Sequence, residues 1–148
     1  MGTVSLNDIK ITSLQKFPIA EGHVLHAMKK NDSGYSGFGE AYFSWVNAGA
    51  IKGWKRHKTM TMNLVVPYGM VRFVFCVNEN KIMEENRVIE IGTDNYARIT
   101  VPQGVWFGFQ GLSSPNSLVL NISNIIHDQN EVDRKTLREI PYKWEPLK

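Results

Sequence analysis

The sequence lacks most of the features that announce a chemistry. It has one cysteine, Cys76, so no internal disulfide can form. That cysteine sits in the apolar run Val71 to Val77, the setting of an inert packed thiol; a reactive one needs a basic, partly exposed environment. No stretch approaches the roughly 20 apolar residues of a membrane helix. Met1 to Lys10 lacks the charged-then-apolar order of a secretion signal, so a soluble cytoplasmic protein is expected. There is no glycine-rich phosphate loop, no C-x-x-C, no G-x-S-x-G and no H-E-x-x-H. Only four histidines are present, and only His23 and His26 lie close together, with no third ligand nearby. They are read as surface or packed residues, and neither a metal nor a cofactor is expected. Helical periodicity is almost absent. Only Gln129 to Glu139 could hold a short helix or turn, with Glu131 and Lys135 paired at i,i+4.

What is there suits one domain, residues 1–148, with one core: 43% of residues are hydrophobic and 21% charged. The net charge of +3 is too mild to mark a nucleic-acid binder, but its distribution is uneven. Lys52, Lys55, Arg56, His57 and Lys58 crowd together around Gly53 and Trp54, just before an apolar strand. That placement favours the rim of a pocket over a free tail. Short strand signals recur: Gly39 to Val46, Met60 to Val66, Val71 to Val77, Arg87 to Ile91, Tyr96 to Val101 and Ser117 to Ser123. The turn Pro67-Tyr68-Gly69 predicts a hairpin between the second and third, and Gly92-Thr93-Asp94-Asn95 predicts another between the next two. Regular glycine and proline punctuation predicts an all-β sandwich or closed barrel. The aromatic tail Ile140 to Trp144 is expected to pack across the barrel or a partner subunit.

Two segments carry more specific information: Ala50-Ile51-Lys52-Gly53-Trp54-Lys55-Arg56-His57-Lys58 and Val101-Pro102-Gln103-Gly104-Val105-Trp106-Phe107-Gly108-Phe109. In order and spacing they resemble the two cupin motifs of the dTDP-4-dehydrorhamnose 3,5-epimerase family, I/V-x-R-G-x-H and P-x-G-F-x-H-G-F. The first also resembles the R-G-x-H-x-H-K of sugar-nucleotide 3,4-ketoisomerases. The similarity spans roughly residues 35 to 145. It implies a double-stranded β-helix, the cupin or jelly-roll barrel, and a homodimer. It also implies a nucleotide-sugar substrate: the activity is that of an epimerase or isomerase of a 4-keto-6-deoxy sugar nucleotide, in dTDP-rhamnose, deoxysugar or surface-polysaccharide biosynthesis. The departures are specific. Lys52 replaces the motif arginine, Lys55 the histidine that is the epimerase base, and Phe107 the second-motif histidine. No tyrosine lies near Asn124 to Ile126, where the family's opposing acid would be. His57 and Lys58 match the H-K of the ketoisomerase pattern. With Lys55 and Phe107 at the metal-ligand positions, the resemblance implies no metal.

Isomerisation next to a ketone needs a base for an acidic C–H and positive groups for the enolate. His57 is the candidate base. Lys55 serves as a base only if burial and its neighbours Lys52 and Arg56 depress its pKa; otherwise it holds a phosphate or an enolate oxygen. Tyr42 and Tyr68 are candidate acids by residue type. Lys52, Arg56 and Lys58, with Arg72 or Arg98, are candidates for a diphosphate. Trp54, Trp106 and Phe107 are candidates for a base-stacking face. Arg72 interrupts an apolar strand and should face the barrel interior or an interface, meeting an anionic ligand or a carboxylate such as Glu40; Asn63 is expected on the same inner face. Besides an epimerase, two readings stay open: a ketoisomerase or non-catalytic cupin that binds sugar nucleotides, and a cupin for an unrelated small ligand.

Overall fold

A computed structural model describes residues 3–147. Its strands, in chain order, are β1 (Lys10–Ser13), β2 (Lys16–Phe17), β3 (Val24–Leu25), β4 (Glu40–Asn47), β5 (Ile51–His57), β6 (Met62–Tyr68), β7 (Met70–Cys76), β8 (Arg87–Gly92), β9 (Ala97–Val101), β10 (Trp106–Gly111), β11 (Asn116–Ser123) and β12 (Val132–Arg134). Two five-stranded antiparallel sheets face each other, β1-β9-β6-β11-β4 and β12-β5-β10-β7-β8, and β2-β3 form a small ribbon. This is the all-β cupin sandwich expected from the sequence. No described helix is long and apolar enough to cross a membrane.

Neither predicted hairpin forms. β6 pairs with β9 and β11, while β7 pairs with β10 and β8, so the chain changes sheets between Tyr68 and Met70. Gly69 makes that corner at φ +83°, and a Cβ there would lie 2.3 Å from Ser117 Oγ, which instead donates to Met70 O. β8 and β9 likewise part after a single Gly92–Asn95 bridge. A tight turn serves a hairpin or an inter-sheet corner equally well. The partners waiting on each sheet decide between them. The third mismatch is Gln129 to Glu139. Only a 3-10 turn, Gln129–Glu131, forms before β12 adds to the β5 edge. Glu131 and Lys135 do not pair: Glu131 turns to His57, and Lys135 to Glu79 at 3.7 Å.

Period-two alternation fills the space between the sheets. Met62, Leu64, Val66, Ile99 and Val101 of one sheet meet Phe73, Phe75, Ile89, Ile91 and Phe107 of the other. A second cluster lies on the outer face of the β5-β10-β7 region: Trp54, Val74, Cys76, Ile82, Trp106 and Ile140. Tyr142 and Trp144 of the C-terminal segment close over it, so the tail packs across the barrel, and Trp54 Nε1 donates to Ile140 O at 3.1 Å. Gly108 leaves room for this, since a Cβ there would stand 3.1 Å from the Trp54 ring. Cys76 is buried here, and burial pushes its thiol up to about 12, so it is protonated and inert.

Trp54 is therefore a structural anchor. Trp54→Ala should cost about 3–5 kcal/mol of unfolding free energy, read as a lower urea midpoint.

Candidate functional site

The sandwich is apolar at its β1-β8 end and polar at the end where β4 and β11 face β5, β10 and β12. β5 sets this polarity. Lys55 and His57, two residues apart, point the same way, whereas Lys52 should point oppositely. A register shift against β10 corrects this: Phe107 faces Lys55, but Gly108 faces Gly53 and Phe109 faces Lys52. The extra residue sends Trp54 outward and returns Lys52 to the inner face. Lys52, Lys55 and Phe107 thus line a cavity of about 510 Å³, with Met62, Leu64, Phe109 and Val119 as its apolar wall. A second chamber of about 370 Å³ adjoins it and holds His57, His127 and Glu40; Tyr42, Lys55 and Arg134 border both.

His57 is 6% exposed and stacks on Phe107, with ring centroids 5.9 Å apart. Its Nδ1 is hydrogen-bonded to Glu131 Oε1. The other carboxylate oxygen, Oε2, accepts from Thr59 N (3.2 Å), Thr59 Oγ1 (3.3 Å) and Met60 N (3.2 Å). Glu131 therefore fixes the ring's orientation and tautomer, and Nε2 makes no hydrogen bond among the described residues. Burial holds the His57 pKa below its ordinary value; the Glu131 bond opposes this, while Lys55 and His127 add to the lowering. Burial raises Glu131, but the bonds from His57, Thr59 and Met60 outweigh it and leave a carboxylate. At neutral pH the pair is a neutral imidazole beside an anionic carboxylate. That is the form of an oriented general base.

Positive charge surrounds it. β12 places Arg134 directly opposite Lys55. Neither has an ion-pair partner among the described residues. Burial, then Arg134 and Lys52, lower the Lys55 pKa. Lys52 Nζ reaches across to the other sheet, donating to Ser44 Oγ (2.9 Å) and Trp45 O (2.6 Å). From that sheet Tyr42 faces the cavity, its hydroxyl bonded by Asn121 Nδ2 at 3.1 Å. Asn121 is 4% exposed, and its Oδ1 has no partner among the described residues. Glu40 Oε1 accepts from His127 N at 2.5 Å, tying the loop after β11 to β4.

Of the residues singled out from sequence, Lys52, Lys55, His57, Phe107, Glu40 and Tyr42 line these chambers. The others do not. Arg56 points outward, bonding Asp133 at 2.9 Å with its guanidinium over the Trp106 ring at 4.6 Å. Trp106 is buried beneath it in the outer cluster. Lys58 is exposed, 3.6 Å from Asp133. Arg72 satisfies its charge on the outer face with Glu90 (2.8 Å) and Gln110 (3.1 Å), so Glu40 is not its partner. Asn63 faces the outside of its sheet, donating to Gly34 O and accepting from Thr100 Oγ1. Arg98, fully buried, ties down the segment before β4 through Ala27 O and Ser33 O. Tyr68 is exposed beside Trp45, away from the cavity. His23 accepts from Ile19 N and His26 packs on Phe17. Sequence reasoning missed Glu131, Arg134, Asn121 and His127. Nothing local in the sequence ties them to His57.

A scan against family models gives no match, and a search of curated proteins gives none either. Solved structures do match. A dTDP sugar isomerase from Desulfovibrio desulfuricans is 33% identical, covering 93% of this chain and 90% of that one, with a TM-score of 0.83. QdtA, a sugar 3,4-ketoisomerase from Thermoanaerobacterium thermosaccharolyticum in complex with TDP, is 16% identical over 93% of this chain and 95% of its own, with a TM-score of 0.73. A dTDP-4-dehydrorhamnose 3,5-epimerase from Bacillus anthracis, with TDP and PPi bound, is 18% identical over 98% of this chain and 91% of its own, with a TM-score of 0.75. The last two share the fold. The first shares sequence along nearly its whole length, and the chain belongs to the dTDP-sugar isomerase family, among the epimerase-like cupins that its two motifs resemble.

Proposed function

We propose that this protein isomerises a dTDP-linked 4-keto-6-deoxy sugar by enolisation, with epimerisation beside the ketone as the outcome. The observation that carries this is the buried His57–Glu131 pair opening onto a cavity whose cations, Lys55 and Arg134, have no carboxylate partner among the described residues. A proton on the carbon next to a ketone becomes removable when the oxygen's developing charge is stabilised. His57 Nε2 removes the proton, Glu131 holds the imidazolium that forms, and Lys55 and Arg134 face the enolate and the diphosphate. Lys55 stands where the epimerases carry their base, so the base role moves two residues along β5. The apolar wall of Met62, Leu64 and Phe109 suits the methyl of a 6-deoxy sugar. A 3,4-ketoisomerase is the second reading, favoured by the His57-Lys58 match to that pattern. A sugar-nucleotide-binding cupin without catalysis is excluded by any exchange into substrate.

A second copy of the chain completes the protein. β4 is an edge strand with no proline or lysine to blunt it, and Phe43, Trp45 and Tyr68 are 63%, 54% and 52% exposed beside it. An isologous dimer through this face covers them. A nucleotide-linked substrate fits a cytoplasmic setting.

The first test is proton NMR in deuterated water with dTDP-4-keto-6-deoxyglucose. Deuterium entering at C3 or C5 is the expected result, and saturable binding without exchange or conversion overturns catalysis. His57→Asn should lower turnover about 10²–10⁴-fold. Because His57 is lowered from 6.5, kcat/KM should hold steady at neutral pH and fall only below that value. In Glu131→Gln the imidazolium loses its ion partner, so the acid limb moves to still lower pH and the rate drops. Lys55→Met should lower kcat about 10²-fold if Lys55 faces the enolate; an effect confined to KM would assign it to the phosphates. Light scattering should show a dimer for the wild-type chain and a monomer for Trp45→Glu.

A further inference from the structure

An amine that meets a ketone can do more than face its oxygen, provided it is free, accessible and able to shed its proton. Three lysines border the larger chamber, and their surroundings differ. Lys52 is engaged, its ammonium donating to Ser44 Oγ at 2.9 Å and to Trp45 O at 2.6 Å. Lys135 is turned to Glu79 at 3.7 Å, with its ammonium over the Trp106 ring at 5.8 Å. Lys55 is exposed to both chambers, and its ammonium has no ion-pair partner among the described residues. The carboxylates nearby are occupied: Glu40 accepts from the His127 N–H, Glu139 from the Thr136 N–H at 2.8 Å, and Glu131 holds His57. β12 sets Arg134 opposite Lys55, and Lys52 lies three residues back on β5. Partial burial, then Arg134 and Lys52, lower the Lys55 pKa, which raises the share of neutral, nucleophilic amine.

We propose that Lys55 condenses with the keto group of the sugar, and that the iminium so formed, rather than the carbonyl oxygen, receives the electrons when His57 removes the adjacent proton. This role rests on the enolisation reading above. The Lys55 Nζ lone pair attacks the carbonyl carbon. Two hydrogens of the original ammonium leave with the carbonyl oxygen as water. A C=N bond then replaces C=O, and its nitrogen keeps one hydrogen and the positive charge. His57 Nε2 takes the proton of the neighbouring carbon. The C–H pair becomes C=C, the C=N pair returns to nitrogen, and a neutral enamine forms. Reprotonation of the carbon restores the iminium, and water releases the ketone and the amine. The placement fits this sequence. Lys55 and His57 are alternate residues on one face of β5, about 7 Å apart along the strand, and the flexible four-carbon stem of lysine lets Nζ reach the carbonyl carbon while Nε2 reaches its neighbour. An iminium carries its own positive charge into the step, so no enolate charge has to be stabilised, and Arg134 is left to the diphosphate.

Cyanoborohydride reduces an iminium and spares a ketone, so it reads the step directly. Wild-type protein given dTDP-4-keto-6-deoxyglucose and cyanoborohydride should gain the mass of one reductively attached sugar nucleotide, mapped to Lys55 by peptide mass spectrometry, and should lose activity as it does. Excess dTDP should suppress the adduct, and dTDP-glucose, which has no ketone, should give none. Lys55→Arg keeps the positive charge but cannot condense. It should melt at the wild-type temperature and lose adduct, deuterium exchange and conversion together. Wild-type protein that exchanges deuterium into the substrate yet yields no adduct at Lys55 overturns the imine and leaves enolisation standing. Exchange near the wild-type rate in Lys55→Arg overturns the imine too, as does labelling spread over surface lysines and indifferent to dTDP. Wild-type protein that neither exchanges nor converts overturns the enolisation reading and the role of the imine with it.

Discussion

A buried imidazole stays neutral and fixed only if its Nδ1–H finds an acceptor, and that requirement ties the site to the fold. Glu131 is 74 residues from His57 and reaches it only because β12 adds to the edge of β5. The same pairing sets Arg134 beside Lys55 and sends Asp133 outward to Arg56. Two more residues, Thr59 and Met60, lend their N–H groups to the second carboxylate oxygen. The strap is short and the carboxylate is buried, so an unpaired Glu131 would be costly. The bond that orients the His57 ring therefore also ties the last strand to β5.

Charge is sorted by face. Outward cations on the second sheet and β12 flank are matched: Arg56 with Asp133, Arg72 with Glu90, Lys135 with Glu79. Of the inward ones, Lys52 is held by Ser44 and the Trp45 carbonyl, whereas Lys55 and Arg134 have no ion-pair partner among the described residues. Like charges held together without a counter-ion raise the free energy of the empty site and lower that of a site holding an anion. His57 borders the cavity region from one sheet and Tyr42 from the other, so the two sheets supply opposite walls.

Much of this was legible. Alternation and turn chemistry pointed to an all-β sandwich, and the motif pair pointed to the cupins. His57 and Phe107, both singled out in the sequence, line the chambers, and the apolar run around Cys76 foretold a buried thiol. Arg72 was misjudged because a polar residue in an apolar strand reads the same whether it faces a ligand or the outer surface. Here both faces of the second sheet are covered, the outer one by the tail. Asn63 misled for the same reason, since the segment before β4 covers its outer face.

Local physics in the chain thus determined the strands, the turns, and a cluster of cations around one histidine. Tertiary structure decided which of those cations matter. A one-residue register shift against β10 turned Lys52 inward and Trp54 outward, and strand partners distant in sequence turned two presumed hairpins into corners between sheets. Such choices depend on which backbone edges lie alongside. Side-chain identity along a single strand carries no record of that, because successive residues alternate faces and any slip of one reverses them all.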